Sequence, residues 1–267
     1  MAFVSREKGS IYYEVHGSGE PLVLIRGLGR WSEHWCGWHL ELAKHFKVIL
    51  FDGRGLGRST APIAFSHSMS DLASDVKSIL DIEKIPRATL FGVSLGGMIA
   101  LQFAIEFPDR AVALHIVNSS IGRSGHLRMT PKAASVILSA PVRQDQFYKN
   151  LAKVLVSKDA SDAVINKFAN SWEKIDRNYP KPYATVGAQL AIAARWRRWE
   201  DFSRISCPVN IILSEEDQFV PKGNSLFIHD KIKHSTLTRV PRAGHEIHME
   251  IKWMPKEDSM FSRGNFV

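Results

Sequence analysis

The 267-residue sequence contains little cysteine, two residues in all, Cys36 and Cys207. Two cysteines cannot form the disulfide framework on which small secreted domains depend, and no histidine and cysteine cluster has the spacing of metal ligands. Residues 1–10 also lack the apolar run of a secretory signal. We therefore predict a reduced, cytosolic chain without a metal site.

Long hydrophobic runs are scarce as well. The most apolar stretch is 88–107, in which Glu106 is the one charged residue. Its length would suit a membrane span, but three glycines, a serine and Gln102 lie within it. This composition favours a buried strand and helix instead, so no membrane association is predicted.

Positive charge exceeds negative charge without forming a nucleic-acid-binding pattern. The chain has 35 Lys+Arg and 27 Asp+Glu, a net charge of +8, and the basic residues are scattered except in the segment 195–199. No zinc-finger, RRM or KH pattern is present, so nucleic-acid binding is not predicted. The charge favours acidic partners in general and identifies none of them.

Nucleotide-binding loops are absent too. The segment 52–59, DGRGLGRS, is superficially similar to a dinucleotide loop, but Arg58 stands where a third glycine is needed and 60–66 has no helical pattern. The glycines at 92–97 are not followed by the Lys-Ser/Thr of a phosphate-binding loop. The sequence therefore predicts no nucleotide cofactor, and no other cofactor is indicated.

What the chain does contain is GVSLGG at 92–97, a Gly-x-Ser-x-Gly pattern. An apolar run ends at Phe91, and apolar residues with helical spacing follow the pattern, which predicts a strand, an abrupt turn and a helix. Glycine at 92 and 96 lets strand and helix approach closely, while the turn holds Ser94 in a strained conformation. Its hydroxyl would then lie at the N-terminus of the helix, beside free backbone N–H groups.

The rest of the chain alternates between strand and helix patterns, with one interruption. Apolar runs predict buried strands at 22–25, 48–51 and 112–117, and a helix opened by a capping box precedes the serine pattern. Between 119 and 200 strand-like runs vanish and helical segments separated by prolines take over. We predict an α/β core of residues 1–118 and 201–267, with a mostly parallel sheet flanked by helices, and an inserted helical cap at 119–200.

The first of these strands is followed by Gly27-Leu28-Gly29, and the next segment carries tryptophans with helical spacing. Glycines just past a central strand leave N–H groups accessible, so the Leu28 amide is a candidate oxyanion donor. Trp31, Trp35, Trp38 and Leu42 predict one face of a helix capped by Ser32. Because Trp31 lies beside the Leu28 loop, it is the tryptophan that we expect near a ligand.

A serine nucleophile needs a base, and the imidazole needs an acid that holds its tautomer. Asp217 follows the strand after the insertion, and His245 follows the last strand. Glu215 and Glu216 are alternative acids, and His248 is an alternative base. The order Ser94, Asp217, His245 differs from the order in chymotrypsin and in subtilisin and is that of the α/β-hydrolase fold.

Five motifs in this order resemble the α/β-hydrolase superfamily over nearly the whole chain: RGLG at 26–29, DGRGLGRS at 52–59, GVSLGG at 92–97, SEEDQFVP at 214–221 and AGHEIHME at 243–250. The resemblance implies Ser94 as nucleophile, His245 as general base and then acid, and Asp217 as its orienting partner. It also implies an oxyanion hole made by the amides of Leu28 and Leu95, and a lid made by residues 119–200.

The sequence departs from the family pattern at two positions. Most relatives carry histidine where this chain has Arg26, a cation that would either bind an acidic substrate or form a structural salt bridge. Ser214 stands where glycine is common, which is why the neighbouring glutamates stay open as acids. Arg26 and Trp31 are the predicted substrate-binding residues.

The predicted function is hydrolysis of a small carboxylic ester or lactone through an acyl-enzyme on Ser94. One alternative is a C–C bond hydrolase or lyase that uses the same triad, with Arg26, Arg30 or the arginines of 195–198 holding a substrate carboxylate. A second alternative is a signalling receptor that keeps the triad and binds its ligand without turnover.

Overall fold

The computed structural model describes residues 2–122, 129–139, 144–180 and 182–250, together with the short strands Met254–Pro255 and Phe261–Ser262. His126 lies outside the described residues, as does most of the segment 251–267, which was predicted to belong to the α/β core. None of the helices in the described ranges is long and apolar enough to cross a membrane.

A central sheet of eight strands organises the described part of the chain. The strands are Ala2–Arg6 (β1), Gly9–His16 (β2), Pro21–Ile25 (β3), Lys47–Phe51 (β4), Ala88–Val93 (β5), Ala111–Val117 (β6), Val209–Ser214 (β7) and Thr236–Val240 (β8). Their order is β1-β2-β4-β3-β5-β6-β7-β8. Strands β3 to β8 pair in parallel, whereas the hairpin β1-β2 and the β2-β4 pair are antiparallel. The predicted mostly parallel sheet is confirmed.

The α-helices are Trp38–Leu42 (α1), Met69–Ile82 (α2), Leu95–Glu106 (α3), Pro131–Ser139 (α4), Gln144–Leu155 (α5), Asp162–Asn178 (α6), Tyr183–Arg195 (α7), Gly223–Lys231 (α8) and Ile247–Glu250 (α9). Short 3₁₀ turns occupy Ser32–Trp35, Pro108–Arg110 and Trp199–Arg204. Helix α2 begins with the predicted capping box, in which Ser68 and Asp71 bond each other's backbone.

Apolar side chains cover both faces of the sheet. Along β3, Val23 and Ile25 join one buried cluster, while Leu22 and Leu24 join another. Successive side chains of a strand point to opposite faces, so this division follows directly from the pleat. Helices on both faces explain why the central strands are continuous apolar runs rather than alternating ones.

The segment 32–42 differs from its prediction. Instead of one helix, the chain forms the 3₁₀ turn Ser32–Trp35 and then α1, since Cys36 and Gly37 between them have φ of 49° and 86°. Ser32 does not act as the predicted cap, because its Oγ donates to Asp52 Oδ1. Trp35 and Trp38 nevertheless pack into the same buried cluster, so the apolar pattern correctly predicted burial.

Helices α4 to α7 lie between β6 and β7 in the chain, within the span predicted for the insertion. Side chains of α4, α5 and α6 form a buried cluster around Trp172 and Leu151, which Phe219 and Val220 of the sheet-bearing part also join. Ile192 of α7 belongs instead to the main core cluster. The division into a core and a cap domain stays a prediction.

Candidate active site

Ser94 lies between β5 and α3 in the conformation that its glycine neighbours permit. Its φ of 58° falls in the left-handed region, which side-chain-bearing residues rarely adopt. A Cβ at Gly92 would collide with the carbonyl of Gly96, and one at Gly96 would collide with that of Ile25. The Ser94 N–H donates to Val117 O at 2.9 Å, and its carbonyl accepts from Ser119 Oγ at 2.8 Å. These bonds on both sides of the residue hold the strained turn in place.

The loop after β3 packs directly against Ser94. A Cβ built on Gly27 would lie 3.1 Å from the Ser94 Cβ and 3.6 Å from its Oγ. Among the described residues, neither the Leu28 N–H nor the Leu95 N–H donates to a protein acceptor. The arrangement leaves two backbone donors beside a serine hydroxyl, at the start of a helix whose first N–H groups have no intrahelical partner.

His245 and Asp217 are brought together from two loops at the same edge of the sheet. Nδ1 of His245 lies 2.7 Å from Asp217 Oδ2, and the two side chains are 3% and 2% exposed. The other carboxylate oxygen, Oδ1, accepts from the N–H groups of Phe219 at 2.7 Å and Val220 at 3.0 Å. Both oxygens of Asp217 are therefore used, which leaves the carboxylate little freedom to rotate.

The alternative acids have other partners. Glu215 accepts from Lys222 at 2.9 Å and from Arg239 at 2.8 Å. Glu216 accepts from Ser157 Oγ at 2.7 Å. Only Asp217, of the three acids considered, bonds His245 in the described part of the chain.

The alternative base, His248, is buried away from Ser94. Its ring packs against Trp35 and Trp38, with centroids 4.8 and 5.4 Å apart, and its Nε2 accepts from Arg26 Nη1 at 2.9 Å. Burial, reinforced by Arg26, lowers the pKa of His248 to about 3, so this imidazole is neutral.

Ser94 and His245 line the same cavity, which has a volume of about 570 Å³. Its wall combines apolar side chains of α5 and α7 with charged ones, among them Arg30, Glu173, Asp176, Arg177 and Glu246. No hydrogen bond joins the Ser94 hydroxyl to the His245 ring among the described residues. Such bonds are often long in a free enzyme and tighten when substrate binds.

A second cavity, of about 380 Å³, also reaches Ser94. It shares Leu28, Ser94 and Phe219 with the first. None of its described lining residues is charged, and its wall includes Met98, Leu190 and Val220. The serine thus lies where a cavity with charged side chains on its wall meets a cavity whose described lining residues include none.

Comparison with known proteins identifies the family. The model of the family described as alpha/beta hydrolase fold matches residues 20–251. The chain belongs to this α/β-hydrolase family. It is a hydrolase of that fold, and the predicted family and enzyme class are confirmed.

Two similar relatives are proteins whose provisional name is carbamate hydrolase RutD. The one from Azorhizobium caulinodans is 33% identical over 258 residues, covering 92% of this chain and 91% of the relative. The one from Variovorax paradoxus is 30% identical over 249 residues, covering 88% and 89%.

Solved structures with the same fold are less similar in sequence. A thermophilic esterase from Thermogutta terrifontis is 22% identical with a TM-score of 0.73, covering 94% of this chain and 93% of its own. The enol-lactonase from Burkholderia xenovorans is 19% identical with a TM-score of 0.75, covering 91% and 92%. At this level of identity they show the fold alone.

In this α/β-hydrolase, the two predicted substrate-binding residues do not line either large cavity. Arg26 forms an ion pair with Glu246, its Nη2 lying 2.9 and 3.0 Å from the two carboxylate oxygens. Trp31 is fully buried, and its ring packs edge-on against His34 with centroids 4.3 Å apart. Substrate binding by Arg26 and Trp31 stays a prediction, and the contacts of both side chains inside the protein do not support it.

Arg30 stands on the cavity wall instead. Its guanidinium carbon lies 4.0 Å from the centre of the Trp172 ring on α6, and neither Nη1 nor Nη2 has a hydrogen-bond partner in the described part of the chain. Burial lowers the pKa of Arg30, but arginine remains a cation at neutral pH. A buried guanidinium without hydrogen bonds is unusual and costly.

Glu246 is the acid that faces both arginines. Although its burial favours the neutral form, the charge of Arg26, supported by that of Arg30, holds the pKa of Glu246 below its usual range. Glu246 is thus a carboxylate on the wall of the larger cavity, directly after His245 in the chain.

Asn118 was missed by the sequence analysis. Its Nδ2 donates to Ser214 Oγ at 2.9 Å and to the carbonyl of His245 at 3.0 Å, and its Oδ1 accepts from Ser214 N–H at 2.8 Å. Asn118 has a φ of 45°, a conformation that asparagine tolerates better than most residues. One buried amide therefore links the ends of β6 and β7 to the histidine loop.

No group of three or more potential metal ligands occurs in the described ranges.

Proposed function

We propose that this chain hydrolyses a small carboxylic ester or lactone through an acyl-enzyme on Ser94. The observation that carries the proposal is the 2.7 Å contact of His245 with Asp217 on the wall of a cavity that Ser94 also lines. An imidazole oriented by a buried carboxylate is the base that a serine hydroxyl needs.

In the proposed mechanism, Ser94 Oγ attacks the substrate carbonyl while His245 Nε2 takes its proton. The Nδ1–H of His245 donates to Asp217, which fixes the tautomer and stabilises the positive charge that develops on the ring. The imidazolium then gives its proton to the leaving oxygen, and the acyl group remains on Ser94.

The negative charge of the tetrahedral intermediate would be bound by the N–H groups of Leu28 and Leu95. Both donors are backbone groups and thus need no rearrangement during the reaction, which is the condition for strong electrostatic stabilisation. Water activated by His245 then releases the acid and restores the serine.

Helices α4 to α7 would act as the cap of the site. Tyr148 and Leu151 of α5, Asp176 of α6 and Val186 of α7 line the larger cavity, opposite Ser94 and His245. A cap that encloses the reacting carbonyl excludes water until the acyl-enzyme has formed.

A carbamate is the second candidate substrate. The relatives from Azorhizobium caulinodans and Variovorax paradoxus, 33% and 30% identical, carry the name of a carbamate hydrolase. A carbamate presents the same carbonyl to Ser94, with nitrogen on one side and oxygen on the other, so the same residues would serve.

The test is labelling with a fluorophosphonate, followed by location of the modified residue by mass spectrometry, together with hydrolysis of 4-nitrophenyl acetate. We expect label on Ser94, and Ser94→Ala should lose turnover by a factor on the order of 10⁵. Ser78→Ala, which changes a serine on helix α2, is the matched control. This variant should be labelled on Ser94 to the same extent as the wild-type protein. Substantial ester hydrolysis by Ser94→Ala would refute the mechanism.

A further inference from the structure

We propose that the smaller cavity binds the acyl group and the larger cavity binds the leaving group, so that the substrate joins an apolar acyl group to a polar alcohol. This inference rests on the proposed function, because it assigns the two sides of the carbonyl that Ser94 attacks. The cavities have volumes of about 570 and 380 Å³ and meet at Ser94.

The position of His245 decides which cavity receives the leaving group. His245 is part of the wall of the larger cavity and is not among the described residues that line the smaller one. The imidazole must come within hydrogen-bond reach of the leaving oxygen to protonate it. The leaving group therefore extends into the larger cavity.

The acyl group then has one direction left. The carbon of the tetrahedral intermediate bears the serine oxygen, the oxyanion, the leaving oxygen and the acyl chain. The oxyanion lies at the amides of Leu28 and Leu95, and Leu95 lines the smaller cavity. With three substituents assigned, the acyl chain extends away from His245 into the smaller cavity.

The walls then define the chemical class of each part. The smaller cavity presents Met98, Leu190 and Val220, and no charged side chain among its described lining residues. An apolar acyl group gains from burial there, whereas a charged group would lose its hydration without compensation. The larger cavity presents Arg30, Asp176 and Glu246 beside apolar side chains such as Leu151 and Val186. It can therefore accept an alcohol that carries polar groups on an apolar frame.

Helix α7 supplies a matched pair of positions for a test. Val186 lines the larger cavity and Leu190, one turn later, lines the smaller one. Residues four apart lie on the same face of a helix. Both positions are half-buried, so a larger side chain can fill either cavity from its rim without entering the core of the sheet.

The experiment measures kcat/KM for 4-nitrophenyl esters from acetate to octanoate, which vary the acyl chain alone. We expect Leu190→Trp to lower the octanoate-to-acetate ratio about tenfold or more, and Leu190→Ala to raise it. Val186→Trp should leave this ratio within about twofold, and should instead lower the rate on 2-naphthyl acetate relative to methyl acetate, a comparison that varies the alcohol alone.

An unchanged octanoate-to-acetate ratio in both Leu190 variants, with acetate still hydrolysed, would overturn this assignment and leave the proposed function intact. The assignment would also be overturned if Leu190→Trp changed the rate on 2-naphthyl acetate relative to methyl acetate and left the octanoate-to-acetate ratio unchanged. If the wild-type protein hydrolyses no ester in either series, the proposed function and this inference both fail. Acetate turnover by each variant shows that it has folded.

Discussion

Arg26 and Glu246 form a buried ion pair that joins the loop after β3 to the loop after β8. The guanidinium nitrogen lies 2.9 and 3.0 Å from the two carboxylate oxygens, and the side chains are 2% and 5% exposed. Arg26 precedes Leu28 by two residues, and Glu246 directly follows His245. The pair therefore connects the proposed oxyanion donor with the proposed base.

Removing one partner of this pair should destabilise the protein strongly. Arg26→Met leaves the carboxylate of Glu246 buried without its cation, and we expect a loss of about 3–5 kcal/mol in the free energy of unfolding. Arg26→Met combined with Glu246→Met removes both charges and should recover most of that loss. Urea unfolding of the two single variants and the double variant measures the coupling.

The same variants separate positioning from stability. If the pair aligns the two loops, the double variant should have a kcat lowered at least tenfold while KM changes little, because the lost alignment matters in the transition state. A double variant that recovers both stability and kcat would show that the pair serves folding alone.

His115, at the centre of β6, should make the protein sensitive to acid. Burial lowers the pKa of His115 to about 3, whereas an exposed histidine titrates near 6.5. Between these values the unfolded state binds a proton that the native state does not, so this contribution to stability is complete above pH 6.5 and decreases as the pH falls. At pH 5 the loss is about 2 kcal/mol.

Urea unfolding at pH 8 and at pH 5 tests this prediction. His115→Phe should lose about 2 kcal/mol less than the wild-type protein between the two pH values, and His45→Gln, a change at an exposed position, should behave as wild type. Some acid sensitivity should remain in His115→Phe, because the pKa of His248 is also lowered to about 3. Equal losses in wild type and His115→Phe would contradict the assignment.

The parts of the fold that could be predicted from the sequence are those with local physical causes. The turn at Ser94 was predictable because glycine is required where Gly96 meets the carbonyl of Ile25. Asp217 was the acid implied by the motif SEEDQFVP at 214–221, and the structure brings it to His245. Short-range pattern was enough in both cases.

The direction of long side chains could not be predicted in the same way. Arg26 and Arg30 lie four residues apart on one loop, yet Arg26 pairs with Glu246 and Arg30 reaches the larger cavity. The division of the site into two cavities depends on how α7 packs over Ser94, and the role of Asn118 depends on three segments far apart in the chain. None of these relationships produces a periodic pattern in the sequence.

Arg30 gives the last prediction, because its burial should cost stability. Its guanidinium stacks on Trp172, but Nη1 and Nη2 have no hydrogen-bond partner in the described ranges. The nearby acids are used elsewhere: Glu246 binds Arg26, and Asp176 accepts from Tyr148 at 2.9 Å and lies 3.2 Å from His34. Replacing a buried charge with an apolar side chain of similar length is often neutral or stabilising.

We therefore expect Arg30→Met to raise the free energy of unfolding by about 1–3 kcal/mol, measured by urea unfolding, while it lowers the preference for anionic leaving groups. A positive charge acts strongly across a water-poor cavity, so the ratio of kcat/KM for 3-acetoxybenzoate to that for 3-acetoxybenzamide should fall about tenfold. Arg239→Met, which removes an exposed arginine paired with Glu215 at 2.8 Å and not among the described lining residues of either cavity, should change neither quantity appreciably, since exposed ion pairs contribute little. A buried cation that lowers stability is expected at a site where it contributes to function. If Arg30→Met is instead less stable than the wild-type protein, and its 3-acetoxybenzoate-to-3-acetoxybenzamide ratio is unchanged, Arg30 serves packing against Trp172.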